Sequence, residues 1–227
     1  MRVAEMFHSL QGEGTLVGVP SVFVRLAGCP LRCRWCDTAY AWDYSAGEDL
    51  DPAEIVERIG CWPCRHVVLT GGEPLMGEDL GVRPGLADLT NRLRSLGKHI
   101  TIETAGPLFV PDLACDLISI SPKLANSTSP AMHPMAYPDP AVLSRLIAVY
   151  PYQLKFVIEA REDMDEVRKL LSLLGPVEPA RVLLMPQART RDQLLARSPV
   201  VAELCRETGF RFCDRLHIWL WSDERGR

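Results

Sequence analysis

The strongest constraint on this chain is a rhythm in its hydrophobic residues. From residue 21 onward, short runs of β-branched and aromatic residues alternate with longer leucine-spaced stretches. Residues 21–26 (SVFVRL), 66–70 (HVVLT), 100–104 (ITIET), 117–121 (LISIS), 154–158 (LKFVI) and 181–185 (RVLLM) have the length and composition of buried strands. Between them, residues 52–60 after Asp51, 84–96 before Gly97, 140–149, 163–174 before Gly175 and 191–208 before Gly209 carry helical patterning with start or stop signals. Residues 210–220 read as a last strand. This alternation predicts a mainly parallel sheet with helical crossovers. Six or seven strands are too few for a complete eight-unit barrel. The expectation is an α/β fold, a partial TIM-like (βα) barrel of about six parallel strands, with a doubly wound open sheet as the alternative. The 227 residues suit a single domain, 1–227.

The unusual polar residues sit just past the strand-like runs. They are the segment 29–38, the turn Gly71-Gly72-Glu73-Pro74 behind Thr70, Glu103-Thr104, Ser121-Pro122-Lys123 and Met185-Pro186-Gln187. Parallel α/β folds bind their ligands at the carboxyl ends of the strands, so these clusters are expected to converge on one face. The Pro- and Ser-rich stretch 123–140 reads as a long functional loop. A net charge of -4 gives no electrostatic case for nucleic acid or an anionic membrane as the main partner. No run approaches the roughly 20 apolar residues of a membrane span, and the start MRVAEMFHSLQGEG lacks a secretory signature. A cytoplasmic location is expected, and with it reduced cysteines rather than a disulfide framework.

Cys29, Cys33 and Cys36, three of the eight cysteines, fall within one short loop, GCPLRCRWCD. Three thiolates at Cys-x3-Cys-x2-Cys spacing can wrap one compact metal centre. A closed four-iron site takes four cysteines; three leave one iron open, as a catalytic centre requires. On spacing alone, zinc with a fourth ligand from Cys61, Cys64 or a histidine stays open, as does simple burial of the thiols. Cys61-Trp-Pro-Cys64 has the spacing of a redox pair but precedes a strand instead of starting a helix, and reads as incidental. Cys115, Cys205 and Cys213 read as buried apolar residues.

The cysteine spacing followed by Gly71-Gly72-Glu73-Pro74 resembles the radical S-adenosylmethionine superfamily. Gln11-Gly12-Glu13-Gly14, Phe23-Val24-Arg25, Cys36-Asp37-Thr38, Thr70, Ser121-Pro122-Lys123, Pro186-Gln187 and His217 extend the likeness, from residue 7 to about 221, to the 7-carboxy-7-deazaguanine synthase family of queuosine and deazapurine synthesis. The resemblance implies a modified radical SAM core with a 4Fe-4S cluster on Cys29, Cys33 and Cys36. It implies S-adenosylmethionine held by Trp35, Cys36, Asp37, Gly72, Glu73, Glu103, Ser121, Pro122 and Lys123, and Mg2+ on Thr38, whose bland alternative is a helix cap. The implied substrate is 6-carboxy-5,6,7,8-tetrahydropterin, met by Leu10, Gln11, Gly12, Glu13, Arg25, Thr70, Gln187 and His217. Guanidinium suits the substrate carboxylate at Arg25, although an acid partner on a neighbouring strand would also explain that residue. Gln11 and Glu13 offer the acceptors and donors that an aminopyrimidinone edge needs. The implied reaction is a radical ring contraction with loss of ammonia. A flavodoxin-type reductant and a second copy of the chain, in a homodimer, are the implied partners. A glycyl-radical activase is the rival within the superfamily, and a zinc-binding interaction module the rival outside catalysis. The charged tail from Trp221 has no legible role.

Overall fold

The computed structural model describes residues 1–129, 131, 133, 137–222 and 224–226. Residues 130, 132 and 134–136 of the expected 123–140 loop, and residues 223 and 227 of the tail, lie outside the described residues.

In chain order the elements are β1 (Arg2–Leu10), β2 (Pro20–Leu26), β3 (Glu48–Asp49), α1 (Pro52–Gly60), β4 (His66–Gly71), α2 (Leu86–Ser95), β5 (His99–Thr104), β6 (Leu117–Ile120), α3 (Pro140–Val149), β7 (Tyr152–Ile158), α4 (Asp163–Leu173), β8 (Val182–Pro186), α5 (Arg191–Thr208), β9 (Arg211–Phe212) and α6 (Leu216–Trp221). The strands form one sheet in the order β3-β1-β2-β4-β5-β6-β7-β8-β9. Every neighbouring pair from β2 to β9 is parallel. β1 is antiparallel to both β2 and β3. The parallel part follows chain order without reversal, so it lacks the switch point of a doubly wound sheet and winds one way, as a partial barrel does.

Local chemistry explains the helix ends. Asp51 accepts from the amides of Ala53 and Glu54 while Glu54 reaches back to the Asp51 amide, a capping box that starts α1. Thr190 accepts from the Gln193 amide at the start of α5, and Gly209 closes that helix in the left-handed region.

The two-residue period of the strands divides the sheet into two faces. Val24, Leu69, Ile102, Ile120, Phe156 and Leu184 join the main apolar core with the helices. Their alternates, including Phe23, Arg25, Thr70, Glu103, Ser119, Lys155 and Met185, line a cavity instead. Burial drives one face, and the other is free to carry polar chemistry.

The alternation begins at residue 21, yet residues 2–10 also form a strand, β1, nine residues long. One expectation of the fold needs correction. Residues 210–220 are not one strand: only Arg211–Phe212 pairs with β8, and Leu216–Trp221 is helical. A short apolar run such as LHIWLW fits either structure by periodicity. Asp214 favours the turn, because its carboxylate accepts from the Arg215 amide at 2.7 Å and the Trp219 indole at 2.9 Å. His217 therefore sits on a helix. Among the described residues, no helix is long and apolar enough to cross a membrane.

Candidate active site

The loop that leaves β2 folds back on itself. Gly28 and Cys29 donate to the carbonyls of Ala41 and Trp42 at 2.8 and 3.0 Å. Cys29 and Cys33 are buried with Leu31 and Ala105, and Cys36 is half-buried. Burial pushes the Cys29 thiol up to about 12 and raises that of Cys33. Such thiols stay protonated until a metal displaces the proton. Of the eight cysteines, only these three line the cavity. Cys64 is buried elsewhere, its Sγ 2.9 Å from the Pro20 carbonyl, and Cys61 is exposed at the end of α1. Among the described residues no three Cys, His, Asp or Glu side chains converge as a single metal ion demands. A four-iron cluster makes a different demand, one thiolate per iron with one iron open, and a loop presenting three thiols to one cavity fits it.

The Gly71-Gly72-Glu73-Pro74 turn is stitched to this loop. Gly72 donates to the Leu26 carbonyl at 2.8 Å, and Glu73 to that of Gly28 at 2.9 Å. A Cβ at Gly72 would overlap the Gly28 carbonyl oxygen, so only glycine permits the approach. The Glu73 side chain is committed to the protein. It accepts from the Leu75 and Ala105 amides at 3.0 and 2.9 Å and from the Thr104 hydroxyl at 2.5 Å. Burial raises its carboxyl, and these donors oppose the rise. Buried Arg83 donates to the Glu73 and Pro74 carbonyls at 2.8 and 3.1 Å and fixes the turn from below.

The cavity has a volume of about 480 Å³. On the β6 side, Lys123 Nζ donates to Ser121 at 3.1 Å and lies over the Trp35 ring. Thr38 occupies the cap position of a 3-10 turn at Ala39–Ala41, yet its side chain makes no capping bond. Its hydroxyl lies 3.6 Å from Cys36 Sγ and lines the cavity.

Opposite stands a chain of charges. Glu13 accepts from Lys155 through one oxygen and from Arg215 Nε at 2.9 Å through the other. Arg215 Nη2 goes on to Asp37 at 2.6 Å. Burial alone would raise the Glu13 carboxyl; Lys155 and Arg215 overcome it and hold the group well below the usual carboxylate range. Burial likewise opposes ionised Asp37, and Arg215 keeps it low. His217, beside them, is pushed down chiefly by burial, so the neutral ring is favoured. Gln11 donates to Glu103 at 3.0 Å and accepts from the Glu13 amide at 3.1 Å. Arg25 Nε donates to Glu5 at 2.8 Å, and Glu5 also accepts from Tyr40 and Arg225.

Residues 24–127 match the Radical SAM superfamily. Over 97% of this chain and 90% of the relative, the sequence is 40% identical to a 7-carboxy-7-deazaguanine synthase of Halobacterium salinarum. The chain belongs to the 7-carboxy-7-deazaguanine synthase family. A second synthase of this name, from Pyrobaculum aerophilum, is 38% identical over 100% of this chain and 97% of its own length. The crystal structure of QueE from Escherichia coli superposes with a TM-score of 0.70 at 28% identity, covering 95% of this chain and 94% of that one. Streptococcus suis SuiB, crystallised with the precursor peptide SuiA, shares the fold alone, with a TM-score of 0.56 at 14% identity over 84% of this chain and 47% of SuiB. The chain is thus a radical S-adenosylmethionine enzyme of 7-deazapurine synthesis, and its family implies a 4Fe-4S cluster and S-adenosylmethionine.

Against the 7-carboxy-7-deazaguanine synthase pattern, the fold gathers Leu10, Gln11, Gly12, Glu13, Arg25, Thr70 and His217 with the cysteine loop, Asp37, Thr38, Gly72, Glu73, Glu103, Ser121 and Lys123 around one cavity. Two expected members stay outside its lining, Pro122 and Gln187. Gln187 is buried, and Arg197 of α5 takes both its side-chain and main-chain oxygens. Glu5, Tyr40, Lys155 and Arg215 were missed. Lys155 had a signal: a lone charge in a buried strand needs a buried partner. Nothing in the sequence around Arg215 marks it.

Proposed function

We propose that the chain converts 6-carboxy-5,6,7,8-tetrahydropterin to 7-carboxy-7-deazaguanine, the product for which its relatives are named, with loss of ammonia. One observation carries the reading: a single cavity joins the three-thiol loop to an ionised Glu13, Gln11 and the Arg25 guanidinium. Cys29, Cys33 and Cys36 would hold the cluster. The Gly72 backbone, Trp35, Asp37, Glu103, Ser121 and Lys123 would hold S-adenosylmethionine, and the Thr38 hydroxyl would serve Mg2+, a hard ion that prefers oxygen. Held there, the cluster would supply one electron to S-adenosylmethionine, whose carbon–sulfur bond would break to give methionine and a hydrogen-abstracting 5′-deoxyadenosyl radical.

The protein's own part is recognition and exclusion of water. Kept ionised, Glu13 can only accept hydrogen bonds, which suits the N–H groups of the 2-aminopyrimidinone edge. Gln11 is held by Glu103 beside it, ready to discriminate the same edge. Arg25 spends its Nε on Glu5, and its terminal nitrogens form the planar fork for the substrate carboxylate. Leu10, Gly12, Thr70 and His217 close the remaining walls. The chain would act as one domain, 1–227, in the cytoplasm, as a homodimer served by a flavodoxin-type reductant.

The test is anaerobic reconstitution, iron and sulfide analysis, and incubation with the carboxypterin, S-adenosylmethionine, Mg2+ and a reductant. A new deazapurine chromophore is expected, with its yield lowered when Mg2+ is omitted. An intact cluster with no deazapurine overturns the proposal.

A further inference from the structure

Arg215 lies just before α6 and is 8% exposed. Its three nitrogens go to three segments distant in sequence. Nε donates to Glu13 in the loop after β1 at 2.9 Å, Nη2 to Asp37 in the loop after β2 at 2.6 Å, and Nη1 to the Ala188 carbonyl after β8. The next residue adds a main-chain tie, from the Leu216 amide to the Gly12 carbonyl at 2.9 Å. A guanidinium is planar and its donors point in fixed directions, so binding both carboxylates fixes their relative placement as well as their charge. Buried ion pairs contribute little net stability against an apolar replacement. Their geometric specificity is the better account of a cation retained here.

We propose that Arg215 is a positioning residue. It lines the cavity, but all three of its guanidinium nitrogens are committed to the protein; it sets the register between residues 11–13 and residues 36–38 and acts through the Glu13 and Asp37 carboxylates. This rests on the reading above, in which residues 11–13 face the pterin and residues 36–38 face cluster, S-adenosylmethionine and Mg2+. Lys155 cannot replace it, because its ammonium meets Glu13 but has no bond to Asp37. A lysine at position 215 would keep the charge and lose the fork.

The test compares full-length wild type with Arg215→Lys and Arg215→Gln in two measurements. In hydrogen–deuterium exchange without ligand, both variants should loosen residues 11–16 and 36–42 together, by about ten-fold in rate or more, with β4 and β5 unchanged. In the reconstituted enzyme, both should raise the carboxypterin KM by about ten-fold or more, with iron content unchanged and kcat altered less. Should Arg215→Gln fail to fold, Arg215→Lys, which retains the buried charge, carries both measurements. A role in charge balance alone would leave the lysine variant like wild type in both, and that result overturns the proposal. Wild type that makes no deazapurine overturns the functional reading instead, and the paired exchange result then decides the positioning role by itself.

Discussion

A lysine in the middle of an apolar strand has to be answered by an anion. At Lys155 the answer is Glu13, 142 residues away. Replacing Lys155 with methionine keeps the volume but leaves Glu13 buried beside Arg215 alone. Loss of one partner of a buried pair costs about 3 kcal/mol or more. The expected outcome is a lower denaturant midpoint and carboxypterin binding weakened about ten-fold or more. The Lys155→Met, Glu13→Gln double variant should recover much of the stability and none of the binding. Recovered binding would count against Glu13 as a substrate contact. At this scale the chemistry was legible and the partnerships were not. Gln11 and Glu13 stand out as polar residues ahead of β2, and Arg25 as a charge within it. Their bonds to Glu103, Arg215 and Glu5 depend on how distant segments are brought together. Gln187 shows the converse: its side chain is captured by Arg197, which no local pattern announces.

At the level of elements, the central strands and helices follow from period and capping, whereas β1 and α6 do not. Both flank the parallel core, and both owe their form to tertiary pairing more than to local preference: β1 to its register with β2, α6 to the turn that Asp214 holds. The far ends of the strands hold a separate device. His66 and His99 face each other in register at the start of β4 and β5, their rings stacked with centroids 4.5 Å apart. Among the described residues, the buried Nδ1 atoms of both find no partner. Burial first, then His99 and Arg65, push His66 below its ordinary value of 6.5, with Asp116 opposing. A histidine whose folded value is lowered contributes stability above its unfolded value, and that contribution is lost as pH falls below 6.5. His217, lowered by its own burial, acts in the same direction. The melting temperature should therefore drop between about pH 7 and pH 5. His99→Phe, which keeps a stacked ring without a charge, should make that drop smaller. An unchanged slope in the variant would show that the pair does not couple to folding.

For the whole molecule, the sheet is open between its β3 and β9 edges, and the two ends of the chain bridge the seam without pairing strands. Gly14 donates to Cys213 Sγ at 3.0 Å, Leu216 to the Gly12 carbonyl at 2.9 Å, and Arg215 to Glu13 at 2.9 Å. Residues 24–127 supply the superfamily half of the cavity. The seam supplies Gln11, Gly12, Glu13 and His217, which with Arg25 would face the substrate proposed above. A division of this kind can be tested with one methyl group. A Cβ at Gly12 would overlap Nδ1 of His217 and crowd the rest of that ring. The ring must swing out of the cavity or α6 must back away, and either response opens the pterin side. Overpacking of this sort costs about 1–3 kcal/mol, so the protein should still fold. Gly12→Ala is thus expected to raise the carboxypterin KM by about ten-fold or more, since the strain falls on a wall of the pterin site. Iron content and S-adenosylmethionine affinity should stay at wild-type levels, because the cysteine loop, the Gly72 turn and Lys123 all lie in the other half. A matching loss of cofactor binding would mean that the two halves do not act separately, and that the seam supports the cluster as much as the substrate.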